Sequence, residues 1–189
     1  VWFSTESSPV SLVHRTTPAL VLGPSIDKLG VAEQRFLGSR MLMLTKPEYF
    51  LATHPSPLAE RVEHLRDLFN GCLQLTKTGN LSRKDNPLVK RVLTNIGSKD
   101  VLSLTQIIGN GTPKTNEDIE RWLQHIDLMA SRVGFVLTDN LDVGVRMTRE
   151  LIEPLSNLTV EQRLTDLLLF SVSKDFLIMR GDLAERIRE

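Results

Sequence analysis

Four histidines, one cysteine and scattered carboxylates are the side chains from which this chain could build a metal or acid–base site. Zinc takes His, Cys or carboxylate ligands, and a helix supplies two of them when they stand one turn apart on one face. His14, His54, His64 and His125 stand at no such spacing from one another. His64 and His125 fall on amphipathic stretches, where a satisfied or surface imidazole is the simpler reading, and His54 precedes Pro55 in a turn. Cys72, in "LFNGCLQL", reads as a small buried hydrophobe rather than a catalytic thiol. Being alone, it can form no intrachain disulfide and no cysteine-based zinc knuckle. Nucleophilic and phosphate chemistry fare no better. There is no G-x-S-x-G elbow, and "GNGTPK" lacks the spacing of a phosphate-binding loop. "DNLDVG" lacks the alternation and terminal Glu of a calcium loop, so Asp139 or Asn140 reads as a turn and cap residue.

The elements that would position these groups are mostly helical. The first thirty residues are extended: "VSLVHR" (10–15) and "PALVLG" (18–23) are two β-rich runs, with prolines that suit edge strands or strand starts. "GPSIDKLG" turns the chain into a helix over 31–44, which ends before Lys46-Pro47. A short turn at "PEYFLAT" precedes a long helix from about 56 to 75, striped by Leu58, Val62, Leu65, Leu68, Phe69 and Cys72. Helices are expected at 87–96, where Pro87 suits the first position, and from Ser98 to about 108. Asn116 can cap a helix over 117–138, with Ile119, Trp122, Ile126 and Met129 on its apolar stripe. "DNLDVGVRMTRELIE" gives another helix, stopped by Pro154. Thr159 opens a helix over 160–171, and "KDFLIMRGDLAERIRE" closes the chain.

Composition narrows the classes of function. The chain has 189 residues, 41% hydrophobic and 24% charged, which suits a globular domain with a real core. Its 23 basic and 23 acidic residues cancel, so no global field draws it to nucleic acid or an anionic membrane. No apolar run approaches the ~20 residues of a membrane-spanning helix. Starting at Val1 rather than Met, the chain is expected to be a fragment of a longer protein. A single thiol favours a reducing, cytoplasmic compartment.

The order of elements carries a resemblance. Strand, strand, "GPSIDKLG" and "VAEQRFLGSRMLML" together resemble the core of gluzincin metallopeptidases related to the CAAX prenyl proteases. There a hairpin and turn lead into a helix of the form E-L-x-x-V-L-x-H-E-x-x-H. With Glu33 at the leading Glu, Arg40 falls at the first His, Met41 at the catalytic Glu and Leu44 at the second His. A register one residue off places Ser39, Arg40 and Met43 there instead. The family's third ligand lies in E-x-x-A-D-x-x-(G/A), which "DLMASRVG" (127–134) resembles, with Asp127 at the ligand Glu and Ser131 at the Asp. The chain also looks similar to C-terminal regions of large bacterial proteins that carry tetratricopeptide repeats upstream, through "LLLFSVS" and Phe176.

What the resemblance implies is a degenerate site. A zinc-bound water needs three protein ligands and usually a carboxylate base, and Arg40, Met41 and Leu44 supply none of these. A hypothetical outcome is that Asp127 pairs with Arg40 and replaces the metal by an ion pair. The expected fold is mainly α with a small N-terminal β element, a zincin-like helical domain over 1–189 with a core over 9–150 and a C-terminal helical extension over 151–189. The expected role is a pseudoenzyme without catalytic residues, metal or cofactor, acting as a scaffold or interaction module. Its partner would be another protein or other domains of the same polypeptide. Two rivals stand beside it: a helical interaction domain without peptidase ancestry, and a hydrolase using His54, His64, Asp127 and Asp139.

Overall fold

The computed structural model describes residues 2–3, 9–13, 18–46, 49, 51–53, 56–78, 87, 90, 115–150 and 155–188. The fold is mainly α with a small N-terminal sheet. Strands β1 (Trp2–Phe3), β2 (Val10–Val13) and β3 (Ala19–Leu22) are followed by a 3-10 turn at Pro24–Lys28 and helix α1 (Val31–Leu44). Next come α2 (Leu58–Thr78), α3 (Asn116–Thr138), α4 (Leu141–Glu150), α5 (Val160–Ser171) and α6 (Lys174–Arg188). The helices expected over 87–96 and 98–108 lie outside the described residues.

By its contacts the chain divides into two compact units, Val1–His54 with Gln124–Glu189, and Pro55–Leu123. In the first, β2 and β3 form the expected antiparallel hairpin, with Val10 opposite Leu22 and Val13 opposite Ala19. β1 adds to it in parallel, Trp2 opposite Val21, a strand too short and too distant in sequence for local alternation to reveal. The hairpin packs on α1 through β2. Gln34 then ties the 3-10 turn to the helix, its side-chain amide donating to the Ile26 and Leu29 carbonyls at 3.1 and 3.0 Å.

One apolar cluster joins these pieces: Val10, Ile26, Phe36 and Leu37 meet Phe135, Val143, Met147, Leu167, Phe170 and Phe176. Leu167 and Phe170 of α5 and Phe176 of α6 thus belong to the same cluster as the hairpin and α1. Phe135 and Phe176 stack at 4.7 Å between ring centroids, and Phe170 meets each of them edge-on. Such aromatic pairs add about 0.5–1.5 kcal/mol beyond their buried area.

Chain geometry follows local chemistry. Thr159 and Gln162 cap α5 reciprocally, each side chain bonding the other's backbone N–H, the capping-box arrangement. Asp139 ends α3 in the left-handed region at φ 52°, a position that Asp tolerates better than most side chains. Asn140 then caps α4, its carbonyl oxygen accepting from the Val143 N–H at 3.1 Å.

In the second unit, Val62, Leu65 and Cys72 of α2 and Ile119 and Leu123 of α3 are buried. Trp122 meets Phe69 edge-on at 6.4 Å. Here the cap of α3 differs from expectation. Thr115, not Asn116, bonds the Asp118 N–H, and Asp118 returns a bond to the Thr115 N–H. Burial pushes the Cys72 thiol up, as for an inert core cysteine.

Candidate functional site

Helices α1 and α3 meet where one of them has no side chain. A Cβ on Gly134 would lie 2.9 Å from the Phe36 carbonyl oxygen and 3.1 Å from its ring, so only glycine permits this approach. One turn further along α1 stands Arg40, and one and two turns back along α3 stand Ser131 and Asp127. The two helices therefore run antiparallel through this contact, and the polar residues face each other.

They form a sealed network. The Arg40 Nη2 donates to Asp127 Oδ1 at 2.6 Å, and the side chains are 3% and 0% exposed. Arg40 Nη1 donates to Ser131 Oγ at 2.8 Å and to the Asp127 carbonyl at 3.0 Å. Ser131 passes its own proton to that carbonyl at 3.1 Å. The second carboxylate oxygen, Asp127 Oδ2, accepts from Ser156 Oγ at 2.9 Å. Ser156 is held in turn by the Leu158 N–H at 3.4 Å. Two buried charges are thus both paired and hydrogen-bonded, the condition under which burial is tolerated.

Of the positions singled out in the sequence, Arg40, Asp127 and Ser131 come together. Met41 packs against the apolar cluster and Leu44 is buried, and neither has a polar group to contribute. Glu33 is occupied elsewhere. It accepts from the Gly30 N–H at 2.5 Å and pairs with Arg146 of α4 at 2.5 Å. Ser156 was not expected: it sits in the segment before α5, where no periodicity marks it. Of the hydrolase rival's groups, the two described carboxylates of the first unit stand apart. Asp127 lies on α3 and Asp139 just past its end, twelve residues or roughly 18 Å on, and Asp139 pairs with Arg180. His54 and His14 lie outside the described residues, and His64 belongs to the second unit.

A zinc ion does not fit this arrangement. Among the described residues no three His, Cys, Asp or Glu side chains converge. The one carboxylate at the network has both oxygens engaged, and a buried guanidinium beside it repels a cation.

Two further polar features were missed. Arg132 of α3 grips Asp166 of α5 through both of its ends, and that bond raises the Arg132 pKa. The Arg132 guanidinium also lies 5.2 Å from the Phe170 ring centroid, a cation–π contact. Arg163, on the first turn of α5, is 3% exposed, yet among the described residues its Nε and Nη1 have no hydrogen-bond partner. The Thr148 hydroxyl of α4 is likewise buried and has no partner among the described residues.

Outside these sites, α5 and α6 carry large exposed apolar side chains. Leu169, Val172 and Leu177 are 65%, 78% and 65% exposed, and Leu168 and Ile178 adjoin them in sequence. Among the described residues no helix is long and apolar enough to cross a membrane. Set against known protein families, curated proteins and solved structures, the chain matches none of them.

Proposed function

We propose that this chain is a non-catalytic interaction or scaffold module, a degenerate zincin-like domain working in the cytoplasm as part of a larger protein. The observation that carries this reading is the Arg40–Asp127 pair. At the position where the resemblance calls for a metal and a base, a buried cation holds the one carboxylate that the described residues place there. The hairpin packed against α1 supports the zincin-like reading over a helical domain of unrelated origin. The interaction role draws on the exposed apolar side chains of α5, α6 and the turn between them, since large exposed apolar patches mark contact sites.

Metal analysis of the purified chain, with melts taken with and without a chelator, tests the first half. No bound metal and an unchanged melt are expected, and stoichiometric zinc with chelator-sensitive stability would overturn it. For the second half, a photo-crosslinking residue is placed at Leu169 or Val172 in the full-length protein in its own cells. A discrete adduct is expected there and none from the exposed polar position Glu161. Equal labelling at all three would sink the interaction role.

A further inference from the structure

Next to Arg40 on α1, Ser39 looks another way. It is 8% exposed, and its hydroxyl bonds to no other described residue and is open to the cleft. It lines an open surface cleft of about 610 Å³. Arg35 lies one turn before Ser39 on the same face of α1 and lines the same cleft, so both address one region. Arg35 is exposed and has no ion-pair partner among the described residues.

The other polar groups are already committed. Arg180 donates to the Val136 carbonyl at 2.9 Å and pairs with Asp139, so their charges cancel. Thr138 spends its proton on the Gly134 carbonyl at 2.7 Å. The cleft therefore carries one uncompensated positive charge and one free hydroxyl donor, between apolar walls from Leu137 and Leu183. A dianion would bring a second negative charge towards Asp139, and a neutral ligand would leave Arg35 unanswered.

We propose that this cleft binds a small organic monoanion, a carboxylate on a short apolar chain. Its carboxylate sits on Arg35 and Ser39, and its chain lies against Leu137 and Leu183. The Ser39 hydroxyl supplies one hydrogen bond, and the guanidinium a charge-assisted one, the stronger kind. The cleft's lining shares α6 with the proposed interaction surface through Arg180 and Leu183 but includes none of Leu168, Leu169, Val172, Leu177 or Ile178.

The test is titration of the isotope-labelled chain with hexanoate, followed by amide chemical shifts, with hexanamide and inorganic phosphate as controls. Hexanoate is expected to shift the amides of 35–39, 137–139 and 180–183 saturably. Loss of one charge-assisted bond in Arg35→Gln should weaken binding about tenfold, and Ser39→Ala about threefold. Arg35 is exposed, so its variant keeps the fold, and the shift map of the free protein checks that. Hexanamide should bind at least about tenfold more weakly than hexanoate. Absence of saturable shifts at the cleft would overturn the proposal. So would equal affinity for hexanamide, for phosphate, or for hexanoate in the Arg35→Gln variant.

Discussion

Replacing Arg40 by Met removes the cation from the sealed network and leaves most of its volume. Asp127 would then be a buried carboxylate with Ser156 as its remaining side-chain donor, and Ser131 would lose the guanidinium it accepts from. Breaking a buried, hydrogen-bonded ion pair from one side costs about 3–5 kcal/mol. For a chain of this length each kcal/mol lowers Tm by about 2–4 °C, so Arg40→Met should melt roughly 6–20 °C below the parent. Asp127→Leu should lose a similar amount, because it strands the guanidinium in place of the carboxylate. Removing both charges together is different, since well-packed apolar replacements of buried pairs are often neutral or stabilising. The double variant Arg40→Met/Asp127→Leu is expected within about 2 kcal/mol of the parent. Urea unfolding of the four proteins, followed by circular dichroism, gives the coupling energy, which should reach about 3 kcal/mol or more. A single-variant loss under about 1 kcal/mol, or losses that simply add, would refute the argument that these two charges are sealed against each other.

Three other substitutions probe neighbouring parts of the argument. Gly134→Ala sets a methyl group 2.9 Å from the Phe36 carbonyl and should destabilise by about 1–3 kcal/mol as an overpacked contact, whereas an unchanged melt would mean that α1 and α3 separate freely. Arg163→Met removes a buried guanidinium two of whose nitrogens have no partner among the described residues and should raise Tm, because their desolvation is uncompensated; a drop of several degrees would show that the charge is balanced in solution. Cys72, whose thiol is pushed up by burial, should resist iodoacetamide in the native chain and react on unfolding. Because its folded pKa is the higher one, its contribution is intact below the ordinary thiol range and lost as pH rises through the folded value. Cys72→Ala should flatten that alkaline fall in a pH series of urea melts.

Much of the scaffold was legible because its signals are local. Helix α1 runs over the expected 31–44, bracketed by the "GPSIDKLG" turn and Lys46-Pro47. Thr159 and Gln162 advertise the start of α5 three residues apart, and the hairpin shows as two short β-rich runs. Where two neighbours could do the same job, the sequence decided wrongly. Thr115 and Asn116 can both cap α3, and only the bond returned by Asp118 selects Thr115. The apolar stripe of α3 was likewise carried one step too far, because Met129 is 43% exposed. Pairing of β1 with β3 and the grip of Arg132 on Asp166 depend on tertiary contact, which no local pattern encodes.

The polar network was partly legible for a different reason. An arginine inside "FLGSRMLML" is surrounded by residues that want burial, and a buried arginine is rarely left without a partner. Asp127 poses the same demand on α3, one turn from Ser131 and beside Ile126 and Ala130, so each charge is a clue to the other. What spacing along either helix cannot supply is their distance apart. That is set by Gly134, whose missing side chain lets α1 approach until the guanidinium reaches both Ser131 and Asp127. Ser156 completes the network from outside both helices, because Asp127 Oδ2 faces away from Arg40 and still needs a donor. A buried pair thus announces its two charges in the sequence, while the small residue that brings them together and the hydroxyl that finishes the job emerge only when the helices are packed.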